Sequence, residues 1–194
     1  MLATPSFLHV ANLSSLIWLR QELAEDPQRA ARLFSLGPTD AASYGQLSDF
    51  DIEALCNELD LSLFVPRLDG VTLPAVLAEC AQPATEIPSS DLVLHNLRNL
   101  QALRDTCIRS PGEAVWAYRI DHDTANAYQC LEHASAMALC RRYSRSVLVP
   151  RYEASVMTRI LDKPPGAKAI FAAAYEMDVA VTGEAARRFP YLAH

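Results

Sequence analysis

The chain has 194 residues, 51% of them hydrophobic and 21% charged, which is enough apolar matter for one large domain or two small ones of roughly 80 to 100 residues and too much for a disordered tail. Seventeen basic side chains against 23 acidic ones give a formal charge of -6, so a molecule that coats nucleic acid or anionic lipid over its whole surface is excluded, and any such contact must be local. Cys56, Cys80, Cys107, Cys130 and Cys140 are odd in number and form no C-x-x-C pair, which argues for reduced thiols rather than a disulfide framework or zinc knuckle. With 30 alanines and 26 leucines against 6 glycines, an all-α fold is expected.

In chain order, Met1 to Val10 lack the basic start and long apolar stretch of a secretion signal, and no later run of about 18 apolar residues could span a bilayer; a cytoplasmic protein without membrane contact is expected. Leu13, Leu16, Ile17, Leu19 and Leu23 step at three and four residues, predicting an amphipathic helix that ends near Asp26. Pro27 suits the first turn of the next helix, which carries Ala30, Ala31, Leu33 and Phe34 and is expected to stop at Gly37 in a left-handed cap. Thr39 or Asp40 caps a short helix through Tyr44 and Leu47, and Ser48 or Asp49 opens another through Ile52, Leu55, Cys56 and Leu59. The alternating run Leu61 to Leu68 contains a proline and reads as an extended connector or short edge strand. Cys80 to Ser90, with two prolines, two serines and no helical period, reads as a linker.

Beyond the linker the same plan returns. Residues 12–68 overlay 96–152 without a gap at an offset of 84. The identities include Asn12/Asn96, Leu16/Leu100, Arg20/Arg104, Pro27/Pro111, Ala41/Ala125, Tyr44/Tyr128 and Leu47/Leu131. Two blocks also recur: "ALC" at 54–56 and 138–140, and "VPR" at 65–67 and 149–151. Ala167 to Ala180 adds a helix after Pro164, Pro165 and Gly166, and Glu184 to His194 is a polar end. The expected domains are therefore residues 1–80, a linker at 81–90, residues 91–163, and a C-terminal helix and tail at 164–194.

A surface that buries itself in a twofold dimer can do so inside one chain, so the copies are expected to pack as a pseudo-twofold dimer rather than hang as two beads on a linker. The apolar face with Ile17, Trp18 and Leu23 exceeds what an 80-residue domain normally hides and is assigned to that interface. Charge separates the copies. Residues 141–168 hold Arg141, Arg142, Arg145, Arg151, Arg159, Lys163 and Lys168 against two acids, whereas residues 57–84 hold Arg67 against four. That basic end is the candidate phosphate-contacting edge, with a solvated face balancing acidic neighbours as the plainer reading.

The chain resembles the FlhD family, the helical subunit of the flagellar master transcription activator. "NLSSLIWLRQEL" from Asn12 is similar to that family's opening helix, "ARLFSLG" at 31–37 to its "AMFRLG" segment, and Leu47 through Arg67 to Asp69 continues collinearly. The resemblance implies a fused FlhD dimer that acts with an FlhC-like partner, which carries the zinc site and much of the DNA contact, to recruit RNA polymerase at promoters. The family's cysteine three residues before the arginine is replaced by Phe64 and Leu148, so a covalent link there is lost and fusion substitutes for it; both positions join the assigned pseudo-dimer interface.

Enzyme chemistry has little support. There is no G-x-S-x-G, no H-E-x-x-H and no phosphate-cradling glycine cluster, so no catalytic residue, metal, cofactor or small-molecule substrate is expected. Asp121, His122 and Asp123 fall at a helix junction, where capping is the expected role. His95 and His133 are read as packing or surface residues, and Trp18 and Trp116 as buried in core or interface. Two functions follow: a transcription activator subunit touching promoter phosphates through the basic end, or an adaptor or antagonist that sequesters an FlhC-like partner without binding DNA.

Overall fold

A computed structural model of the protein describes residues 7–80 and 88–182. These form eleven helices and one pair of short strands, so the chain is mostly helical, as composition predicts. Copy one contains α1 (Phe7–Glu25), α2 (Pro27–Phe34), α3 (Pro38–Gly45), α4 (Asp49–Glu58), β1 (Phe64–Pro66) and α5 (Thr72–Glu79). Copy two contains α6 (Ser90–Arg109), α7 (Pro111–Tyr118), α8 (His122–Gln129), α9 (His133–Cys140), β2 (Leu148–Pro150) and α10 (Ala154–Leu161), followed by α11 (Lys168–Thr182). From α7 to β2 every element of copy two begins 84 residues after its counterpart.

Local chemistry sets these boundaries. Ser48 closes a capping box on α4: its hydroxyl accepts the Asp51 N–H at 3.1 Å while the Asp51 carboxylate accepts the Ser48 N–H at 3.0 Å. Ser89, Ser110 and Asp121 cap α6, α7 and α8 through Leu92, Glu113 and Thr124. The left-handed residue that ends α2 is Ser35 (φ 56), not Gly37, and Arg119 (φ 54) repeats it 84 residues later. Gly37 is extended and starts α3 ahead of Pro38. Helix α5 lies in a stretch to which the sequence pattern assigned no element. It is opened by Asp69, whose carboxylate accepts the N–H groups of Val71 and Thr72 at 3.0 and 2.7 Å, and Pro74 falls in its first turn, where no N–H is needed.

The run Leu61 to Leu68 does not alternate: all eight residues are buried. Strands β1 and β2 pair antiparallel with Phe64 opposite Pro150, Val65 opposite Val149 and Pro66 opposite Leu148. Val65 thus faces its own counterpart. A proline ends the ladder on each strand, because it has no N–H to give.

The chain divides into two compact units, and neither coincides with a sequence copy. Among the described residues, the first contains 7–31, 36–60 and 151–182, the second 32–35, 61–80 and 88–150. In the first, α1 packs on α3 and α4, and α10 and α11 from the other copy pack on α4, α10 also on α3. Its core includes Leu16, Leu19, Tyr44, Ile52 and Leu55 with Met157, Ile160 and Ala172. In the second, α6 packs on α7, α8 and α9, the strands lie together, and α5 of copy one packs on α9. Its core includes Leu100, Leu103, Tyr128 and Leu139 with Leu63, Phe64 and Leu73.

Candidate interaction surfaces

Within each unit, hydrogen bonds link one sequence copy to the other, and they come in pairs shifted by 84 residues. The buried Tyr44 hydroxyl donates to the Tyr152 carbonyl at 2.7 Å, and Tyr128 donates to the Leu68 carbonyl at 2.7 Å. Asp40 accepts the Ala154 N–H at 2.7 Å, and the Thr124 hydroxyl accepts the Gly70 N–H at 2.8 Å. Ser146 donates its N–H to the Leu33 carbonyl, and Ser62 to the Ala117 carbonyl. The two tyrosines were visible in the sequence as an identity. Their partners were not, since a backbone carbonyl leaves no sequence mark.

The basic end of copy two is not one surface. Arg141 and Arg145 are exposed in the second unit, and Arg142 is half-buried there. Arg151, Arg159, Lys163 and Lys168 belong to the first unit. Arg151 is 1% exposed and its Nε donates to Glu176 at 3.0 Å, so it cannot reach a phosphate. Lys168 is also buried, donating to Glu58 at 2.9 Å and to the Lys163 carbonyl at 2.9 Å. That hydrogen bond holds the Glu58 carboxyl below its usual range. These two assignments to DNA are corrected: the guanidinium ties α11 to the segment after β2, and the ammonium seats α11 on α4 of copy one. Arg159 and Lys163 place their cations 5.0 and 4.8 Å from the Phe171 ring centre, although Arg159 remains exposed.

Of the residues assigned to pairing, Phe64 and Leu148 are buried in the strands that join the copies, and Phe64 packs against Phe34 with ring centres 6.3 Å apart. Ile17 and Trp18 are half-buried on α1. Leu23 is buried and lines an apolar groove of about 510 Å³ in the first unit, together with Pro27, Ala31, Leu36 and Pro38. A second groove of about 300 Å³ runs between α10 and α11, where Glu153 and Asp178 stand beside Arg159 and Tyr175. Trp116 is 49% exposed, contrary to the expected burial. Its position on α7 turns to solvent while Ala114, Ala117 and Tyr118 take the core.

The titratable groups are structural in their settings. Asp121 caps α8, and the Thr124 hydrogen bonds lower its carboxyl. His95 is buried against Phe34, its Nε2 accepting from the Asn99 amide at 2.9 Å; burial, then the Arg98 charge, push its pKa down to about 3. Burial pushes the Cys56 and Cys140 thiols up to about 12 and Cys107 to about 11, the setting of unreactive packing cysteines. Cys130 alone among the five is exposed. Among the described residues no three His, Cys, Asp or Glu side chains gather as metal ligands would, and no helix is long and apolar enough to cross a membrane.

Compared with protein-family models, with curated proteins and with solved structures, the chain matches none.

Proposed function

We propose that the chain is an FlhD-like subunit of a transcription activator complex, in which two fused copies do the work of a dimer and an FlhC-like partner completes promoter recognition. The observation that carries this reading is the reciprocal set of hydrogen bonds. Tyr44 to Tyr152 with Tyr128 to Leu68, Asp40 to Ala154 with Thr124 to Gly70, and the self-opposed Val65 and Val149 are what an isologous pairing fused into one chain would leave. Each copy lends its last helices to the other, as exchanging protomers do. DNA contact then falls to the exposed Arg141 and Arg145, held near β2 by the Asn96 amide, which donates to the Arg145 carbonyl at 2.9 Å.

The adaptor reading draws on a different observation. With Arg151 and Lys168 buried in ion pairs, the basic end is smaller than the residue count promised. An electrophoretic shift of promoter DNA with the FlhC-like partner, across a salt series, separates the two. For the activator, Arg141→Ala/Arg145→Ala weakens the complex and lowers the log-log salt slope by about 2. An unchanged slope and affinity would leave the adaptor reading.

A further inference from the structure

Helix α11 has no counterpart in copy one, and this makes the two units unequal in a way that can be read residue by residue. In the first unit α10 is covered from two sides: Val156, Met157 and Ile160 are at most 3% exposed, and Arg159 and Lys163 reach over Phe171 of α11. The matching helix in the second unit is α5. Leu73, the counterpart of Met157, is 1% exposed, so the side of α5 turned to α9 is closed. The side that α11 would cover is open. Thr72 and Val76, the counterparts of Val156 and Ile160, are only half-buried; Pro74, Ala75 and Ala78 are exposed, and Val71 is 84% exposed.

Charge says what kind of helix fits there. In the first unit Lys168, the first residue of α11, pairs with Glu58 near the end of α4 and donates to the Lys163 carbonyl at the end of α10. The residue 84 positions after Glu58 is Arg142. It stands just past the end of α9, its N–H donating to the Leu139 carbonyl at 3.0 Å, on the helix that α5 packs against, and its charge pulls back the thiol of Cys80 at the end of α5, which burial raises. The charge at this position is therefore reversed, and the exposed Glu79, the counterpart of Lys163, is the neighbouring acid. A second copy's α11 would bring Lys168 against Arg142, like against like, and is rejected. A helix that opens with a carboxylate would meet Arg142 and satisfy its own amino-terminal dipole at once.

We propose that the open face of α5 and α9 in the second unit docks an amphipathic helix of a partner protein whose first turn carries an Asp or Glu against Arg142, in the manner that α11 docks on α10 and α4. The inference rests on the internal repeat and not on the FlhD-like reading. Its probes are two fluorescein-labelled peptides of residues 166–182, one unchanged and one with Lys168→Glu, titrated by anisotropy into the full chain and into its Arg142→Glu variant. The Lys168→Glu peptide should bind the wild-type chain at least 10-fold tighter than the unchanged peptide, and Arg142→Glu should invert that order. Methyl resonances of Val71, Val76 and Leu77 should move on binding. No binding, equal affinities, an order that does not invert, or shifts confined to Val156 and Ile160 would each overturn the proposal. So would binding that emerges only after removal of residues 183–194, since the face would then belong to the chain's own tail.

Discussion

Acidification should begin to destabilise this protein well above the pH at which its carboxylates protonate, and His95 is the reason. Its ring is 8% exposed, set edge-on to Phe34 at 5.9 Å, with Nε2 accepting from Asn99 and the Ser146 hydroxyl nearby at 3.5 Å. Burial, then the nearby Arg98 charge, disfavour a proton on this ring, which is why the pKa falls from 6.5 to about 3. The folded pKa lies below the unfolded one, so the unfolded chain binds the extra proton and stability is lost as pH falls through 6.5 toward 3. At pH 5 the linkage amounts to about 2 kcal/mol, and at pH 4 to about 3 kcal/mol. Urea unfolding followed by circular dichroism at pH 7, 6 and 5 measures it, in a window above the range where the lowered Glu58 and Asp121 carboxyls titrate. His95→Gln keeps an acceptor for Asn99 but cannot take the proton. The stability gap between wild type and variant should narrow by about 2 kcal/mol between pH 7 and pH 5. Parallel curves for the two proteins would refute the reasoning.

Glu176→Gln removes the charge facing the buried Arg151 and should cost about 3 kcal/mol in urea unfolding, while Arg151→Met/Glu176→Leu recovers most of it; equal losses for both would show that the charges themselves are not at issue. Tyr44→Phe and Tyr128→Phe each leave a buried carbonyl, Tyr152 or Leu68, without its O–H donor; each should lower stability by about 1–2 kcal/mol, read from denaturation midpoints. Gly70→Ala should destabilise by about 1–3 kcal/mol, because a Cβ there would stand 3.0 Å from the backbone of Asp123 and Thr124, atoms that cannot swing away. A thermal melt of Gly70→Ala that coincides with wild type would show that the start of α8 yields.

The exchange of terminal helices between copies has a simple physical origin. Helices α5 and α10 have eight residues each, too few to hold their conformation without tertiary burial. Each follows a strand that crosses to the other copy, so the nearest apolar surface on which it can close is that copy's. Arg67 fixes the crossing in the second unit: its guanidinium donates to the Ser146 and Leu33 carbonyls at 3.0 and 2.9 Å and to the Ser35 hydroxyl at 2.6 Å. The recurring "VPR" block thus reports a structural duty. The arginine turns inward in both copies, to carbonyls at Arg67 and to Glu176 at Arg151.

Sequence alone determined the helical class, the 84-residue offset and several helix starts, because those depend on nearest neighbours: Pro27 and Pro111 open helices, Ser48 and Asp121 cap them, and leucines at three- and four-residue steps mark the inner face. Tertiary structure decided which cations meet solvent. Arg151 and Lys168 look no different from Arg141 and Arg145 in a charge count, yet distant carboxylates, Glu176 and Glu58, take the first two out of water. It also decided that α5 leaves copy one for α9, and that Ser35 rather than Gly37 turns left-handed. Periodicity records which face of a segment is apolar; which surface that face meets depends on residues as many as a hundred positions away, and no local pattern contains them.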